Sequence, residues 1–271
     1  MSVFTLPSHR GAACYAPHRK DACLNAQLLP AHTTTQPLRP AYDQAVRLRI
    51  RVSAVSSATP AQGTHGRRAS VFERLALDAA AEACTSWGGN TSTLQTVFAT
   101  HSADAEAVDR LLVAVTSSPV AVSPLTFLQS VSCTLAGNWA TRTQNHAAST
   151  TVTAGPYTLG AALFDAAVHV ACEERPCLLV FAEVPPPPPL SMPGHTTAPC
   201  AVAVVLSPIS GTGRAIELAY VGTQLGPRQP AAAIDSLRAV LTGSARLATL
   251  AAGPSSHVAI QAPGASVIGH V

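Results

Sequence analysis

Residues 149–181 read STTVTAGPYTLGAALFDAAVHVACEERPCLLVF. Three patterns follow one another within them. Ser149-Thr150-Thr151-Val152-Thr153 is rich in β-branched residues and predicts a strand. From Tyr157 to Ala171, Leu159, Ala162, Leu163, Ala166, Ala167 and Val170 recur at i, i+3, i+4, which predicts a helix with one apolar face. Cys177-Leu178-Leu179-Val180-Phe181 is apolar at every position, so both faces of this strand are buried and it belongs in the middle of a sheet. Strands alternating with helices, some buried on both sides, argue an α/β layered domain.

The same pattern extends in both directions. Upstream, Val46, Leu48, Ile50 and Val52 alternate with Arg47, Arg49 and Arg51. This is a strand with one buried face, its arginines on a solvated or edge face. Ser70, three residues before Glu73, forms a capping box. Phe72, Leu75, Ala76, Ala79, Ala80 and Ala83 follow at helical spacing, and Gly88-Gly89 ends the helix. Thr96 to Thr100 predicts a short buried strand, and Ala105 to Val115 a helix with Val108, Leu111, Leu112 and Val115 on one face. Ser123-Pro124 opens a further helix carrying Phe127, Leu128 and Val131 toward Trp139. Downstream, Pro185 to Pro189 predicts an exposed polyproline II spacer. Cys200–Leu206 and Ile216–Val221 predict two strands of a hairpin across Gly211-Thr212-Gly213, and Ala231–Leu241 a helix. This gives a disordered extension at 1–42, a domain at 43–225, and a weakly patterned C-terminal helix and tail at 226–271.

Composition limits the function classes. The chain has 271 residues, 47% hydrophobic and 11% charged, enough apolar material for a core. Its net charge of +3 is too small to argue for nucleic acid. No apolar run is long enough for a membrane span and no secretion signal is evident, so a cytoplasmic protein is expected. Seven cysteines at irregular spacing read as reduced, mostly buried thiols. Cys172 and Cys177 lack companions that would complete a tetrahedral site, so neither a metal nor another cofactor is expected. There is no Gly-x-Ser-x-Gly elbow, dinucleotide fingerprint or P-loop.

An ordered series of segments resembles the beta-ketoacyl synthase-like N-terminal family. It runs through Gly66-Arg67-Arg68-Ala69-Ser70, Leu75-Ala76-Leu77 with Ala79-Ala80, Val97-Phe98-Ala99, Ser123-Pro124-Leu125-Thr126-Phe127, Ser130-Val131, Ala136-Gly137-Asn138-Trp139, Ser149 to Gly155, Leu163 to Ala167 and Leu178-Leu179-Val180. The family includes short chain-length-factor-like partners of ketosynthases in aryl polyene (xanthomonadin-type) pigment biosynthesis. The resemblance implies a thiolase-like fold: a single N-terminal-type half with a mixed five-stranded sheet between helix layers. Cys133 departs from it, standing where the family usually shows Asn.

A condensing enzyme uses a cysteine thiolate where a strand meets a helix N-terminus. Aligning Thr151-Val152 with the family's Thr-Val-Asp-Thr-Ala-Cys places Pro156 at the nucleophile, and a one-residue slip places Gly155 there. Neither can attack, so the resemblance implies a subunit that forms no acyl-enzyme at this turn. Gly155 is read as the helix cap and Pro156 as its first residue. Ser266 to His270 echoes the family's Ser-x-x-Gly-His without its preceding Lys. The expected role is a non-catalytic chain-length-factor-like subunit. It would pair with a full ketosynthase and meet the acyl carrier protein through that complex. Its expected interface residues are Ser123, Pro124, Phe127, Ser130, Trp139, Thr151 and Tyr157. The alternatives are a residual thiolase-like acyl-transfer enzyme using Cys133 or His270, and a carrier-protein-binding module using Arg67 and Arg68. Cys133, placed inside an apolar helix, is expected to be packed and inert, although His101 or His146 could be imagined as its partner.

Overall fold

Residues 45–58, 69–191, 196–222 and 230–262 are described by a computed structural model. The readings made for residues 1–42, Arg67, Arg68 and Ser266 to His270 lie outside the described residues.

One mixed sheet carries the structure. Its strands are β1 (Val46–Ala58), β2 (Gln95–Ala99), β3 (Ser149–Val152), β4 (Cys177–Glu183), β5 (Cys200–Ser207), β6 (Arg214–Gly222), β7 (Leu247–Gly253) and β8 (Ser256–Gln261). Their order is β3-β2-β4-β5-β1-β6-β8-β7. β2 runs parallel to β3 and β4, and the remaining pairs are antiparallel. The sheet therefore has eight strands, not five: β6, β8 and β7 extend it beyond β1. The last two strands escaped the sequence reading because their outward positions include Ala259 and Ala251, which blur the contrast with inward Val258, Ile260, Ala248 and Leu250. The expected hairpin is also corrected. β5 and β6 do not pair; β1 lies between them and bonds to both. β1 is thus an interior strand, and its arginines are not on an edge.

β1 serves two cores because it changes face partway along. Its register against β5 shifts between Val52 and Ala54, leaving Ser53 as the extra residue. Before the shift, Ile50 and Val52 face one core; after it, Ala54 and Ala58 face the other. Ser53 Oγ bonds Ser207 Oγ at 2.7 Å and the Thr212 carbonyl at 2.8 Å, holding the bulge.

Helices cover both sheet faces. α1 (Val71–Trp87) and α4 (Thr134–Thr143) pack on one; α5 (Thr158–Glu173) and α6 (Pro230–Thr242) pack on the other. The capping box is partly realised: Ser70 Oγ accepts from the Glu73 N–H at 3.1 Å. The Glu73 carboxylate instead accepts from the Asn138 amide at 2.8 Å and ties α1 to α4. The helix read from Ser123 onward is two helices, because α3 (Pro124–Ser130) stops and the chain turns through Val131–Cys133 before α4. The proline run is no free spacer. Pro186 is buried, and the 3-10 turn Pro188–Leu190 contacts α2 (Ala105–Thr116). No helix among the described residues is long and apolar enough to cross a membrane.

α5 contacts all eight strands. The closest approach is at Gly160, where an added Cβ would lie 2.3 Å from the Ala251 carbonyl oxygen of β7. Backbone cannot give way as a flexible side chain would. Gly160→Ala should therefore lower unfolding stability by about 1–3 kcal/mol, the usual cost of overpacking. Urea denaturation measures it, and an unchanged midpoint would contradict the packing of α5 on β7.

Candidate functional site

The turn between β3 and α5 is the strand-to-helix junction that the resemblance singled out. After Val152 the chain passes Thr153 and Ala154, makes a 3-10 turn over Gly155–Tyr157, and enters α5 at Thr158. Gly155 opens the 3-10 turn and Pro156 lies within it, so neither is the cap or first residue of α5, whose N-cap is Tyr157; Gly155 holds φ at +55°, a left-handed conformation that suits glycine. Thr158 Oγ1 accepts from the Ala154 N–H at 2.9 Å and donates to the Gly155 carbonyl at 2.7 Å, fixing the turn from within the helix. Pro156 is exposed. No nucleophilic side chain stands at either aligned position.

The surroundings are closed as well. His101, Phe181, Leu250, Ala251 and Ala233 crowd Gly155 to Gly160, leaving about 10 Å³, room for roughly one water. The His101 ring sits 3.8 Å from where a side chain on Gly155 would begin.

Glu183, at the end of β4, organises this corner. Only 2% exposed, it accepts from Thr100 Oγ1 at 3.1 Å and from the backbone N–H of His101 and Ser102. Thr100 Oγ1 in turn accepts from the Ala103 N–H at 2.9 Å, and Asp104 caps α2 by accepting from the Ala107 N–H at 3.0 Å. One buried carboxyl thus anchors the loop that places His101 over Gly155 and launches α2. Sequence reading passed over Glu183; its one signal was an acid ending an otherwise fully apolar strand.

The thiols near the core are unfit as nucleophiles. Burial pushes Cys84 up to about 11 and, helped by the charges of Asp165 and Glu173, Cys177 up to about 12. Cys200, opposite Glu183 in the β4–β5 register, is also raised, chiefly by burial. Cys133 differs from expectation: it is exposed at the N-cap of α4, because the helix breaks there. His146 lies beyond the other end of α4, and ten helical residues span about 15 Å, too far for a Cys–His pair.

The expected interface residues are dispersed. Ser123 and Pro124 are exposed, Phe127 is 56% exposed, and Ser130, Thr151 and Tyr157 are half-buried. Trp139 is buried in the core beneath α1 and α4. More telling is the whole segment around Phe127. The faces read as core faces of α2 and α3 are covered only in part: Val108, Leu111 and Val131 are half-buried, while Leu112, Val115 and Leu128 are 48%, 46% and 58% exposed. Of eleven exposed large apolar residues among those described, eight fall between Leu112 and Leu128. β3, a four-residue edge strand, pairs only with β2 among the described strands.

Residues 57–259 match the family model described as beta-ketoacyl synthase, N-terminal domain. The solved structure of the ketosynthase ApeO in complex with its chain length factor ApeC, from Xenorhabdus doucetiae, is similar with a TM-score of 0.62. It has 17% identity, and the alignment covers 79% of this chain and 99% of that one. AntDE:AntF, a type II polyketide acyl-carrier protein in complex with its ketosynthase, is similar at 14% identity and a TM-score of 0.50, over 67% and 66% of the two chains. A beta-ketoacyl synthase from Burkholderia phymatum STM815 gives 12% identity and a TM-score of 0.50, over 71% and 69%. No curated protein matches. The chain belongs to the beta-ketoacyl synthase N-terminal domain family, and its fold is thiolase-like.

The raised Glu183 gives a signed pH dependence. Its carboxyl titrates at about 7 in the fold against 4.5 for the free group, mainly through burial. The folded state therefore holds this proton more tightly than the unfolded state. The stabilisation is complete below about pH 4.5 and is lost as pH rises toward 7, about 3 kcal/mol in all. Glu183→Gln keeps an acceptor but does not titrate. The stability difference between wild type and Glu183→Gln should shift against wild type from about pH 5 to about pH 7.5, followed by denaturant midpoints. A constant difference would contradict the anchoring role.

Proposed function

We propose that this member of the family is a non-catalytic, chain-length-factor-type subunit. In this reading it pairs with a full ketosynthase in the cytoplasm, helps shape the tunnel for a growing polyene-type acyl chain, and meets the acyl carrier protein through that complex. The observation that carries the reading is the outward apolar arm of α2 and α3. Large side chains at helical spacing on one face normally form a core. Here most of them are left in solvent. An obligate partner surface has this composition, that of a core cut in half.

Two further features support the non-catalytic part. The strand-to-helix turn carries glycine and proline where an acyl-accepting cysteine would stand. The space beside it admits about one water, not an acyl chain. Chemistry would then fall to the ketosynthase partner, with this chain supplying wall and support.

Co-expression with the ketosynthase encoded nearest to its gene tests the reading. Affinity capture followed by native mass measurement should give a one-to-one heterodimer. Phe127→Asp should cut recovery of the partner by roughly tenfold or more, a loss of about 1.4 kcal/mol at least. Because Phe127 is mostly exposed, the variant's own unfolding midpoint should stay within about 0.5 kcal/mol of wild type. A soluble monomer beside a free ketosynthase would overturn the proposal.

A further inference from the structure

Helices α1 and α4 are tied together by the hydrogen bond between Glu73 and Asn138. Farther along α1 they enclose a groove of about 480 Å³, open to solvent beside the exposed Ala81, Thr85 and Arg142. Small-molecule sites commonly measure about 300–1,000 Å³, so the space is large enough for a ligand of several rings. One face of α1 supplies Leu77, Ala81, Cys84 and Gly88, at helical spacing. α4 supplies Trp139 and Arg142, three residues apart and so neighbours on its surface. Ala81, Gly88 and Gly89 leave that side of the groove without bulky side chains, and a Cβ added at Gly88 would meet nothing within 4 Å.

The floor of the groove is apolar and partly aromatic: Leu77, Cys84 and Trp139 are all buried. The chain has only two tryptophans, and the other, Trp87, packs its ring against Gly89 on the groove wall. A tryptophan floor beside alanine and glycine accepts a flat ring system by stacking. Among the described residues that line the groove, Arg142 alone is charged, since burial keeps the Cys84 thiol neutral. The negative end of α1 opposes an anion here, because its last turn holds no basic residue. That end carries about half a charge, against a whole charge on Arg142. The carbonyls at the end of α4 are already taken. Thr143 Oγ1 donates to the Trp139 carbonyl, the Gln144 amide to Thr141, and the Gln144 and Asn145 N–H groups to Ala140. The balance favours an anion beside Arg142.

We propose that the groove between α1 and α4 binds a planar aromatic carboxylate. Its rings lie on Trp139 between Ala81 and Gly88, and its carboxylate pairs with Arg142. None of the exposed apolar residues between Leu112 and Leu128 lines this groove. The site is therefore separate from the proposed partner surface and does not rest on the chain-length-factor reading.

The probe is pyrenecarboxylate, titrated onto the full chain carrying Trp87→Phe, which leaves Trp139 as the fluorescent reporter. Saturable, one-to-one quenching of Trp139 is expected. Uncharged pyrenemethanol should bind roughly tenfold or more weaker, and Arg142→Gln should bring the carboxylate down to that level. Ala81→Phe, at an exposed helix position, should fill the groove and remove saturable quenching while the unfolding midpoint stays unchanged. Phe127→Asp should leave binding as it was. The proposal is overturned if the Trp87→Phe chain shows no saturable quenching, or if cationic pyrenemethylamine binds as well as the acid. It is equally overturned if Arg142→Gln and Ala81→Phe bind like their parent. Loss of binding on Phe127→Asp would also overturn it, since the acid would then sit on the arm of α2 and α3.

Discussion

Helix α5 touches every strand of an eight-stranded sheet, so every strand depends on how closely this one helix packs. Eight strands at about 4.8 Å spacing span about 34 Å, and the sixteen residues of α5 run about 24 Å across them. Small residues on the helix permit this close approach. Ala162, Ala166 and Ala167 are fully buried against the strands, and Gly160 admits the β7 backbone itself. Leu159, Leu163 and Val170 fill the wider gaps.

The packing of β7 and α6 against α5 also determines what the helix N-terminus can do. That end of α5 is where a condensing enzyme would present its nucleophile, and β7 and α6 crowd the adjacent space with Leu250, Ala251 and Ala233. Gly155 and Pro156 stand at the aligned positions, and about 10 Å³ of space lies beside them. What persists is the support. Glu183 still fastens the loop from β2 to α2, and that loop positions the apolar arm on which partner recognition is proposed to depend.

Much of this was legible in sequence wherever apolar contrast was strong. The β3, α5 and β4 segment reads correctly because its strand and helix periods are clean and both faces of β4 are apolar. The sequence misled where one kind of residue serves two environments. Leu112, Phe127 and Leu128 have core spacing, and periodicity cannot say whether the covering layer belongs to the same chain. β7 and β8 were lost because alanine fills both inward and outward positions. Cys133 was read as buried because the break at Val131–Cys133 has no Gly or Pro to announce it. Glu183 depends on contacts with residues more than eighty positions away, which no local pattern records.

The account turns on whether the outward faces of α2 and α3 are covered by another subunit. Hydrogen–deuterium exchange of the chain, alone and with its ketosynthase, tests this most directly. Slowed exchange over residues 105–130 and along β3 on adding the ketosynthase is the result the account predicts. Unchanged exchange there, with protection appearing elsewhere or nowhere, would contradict it.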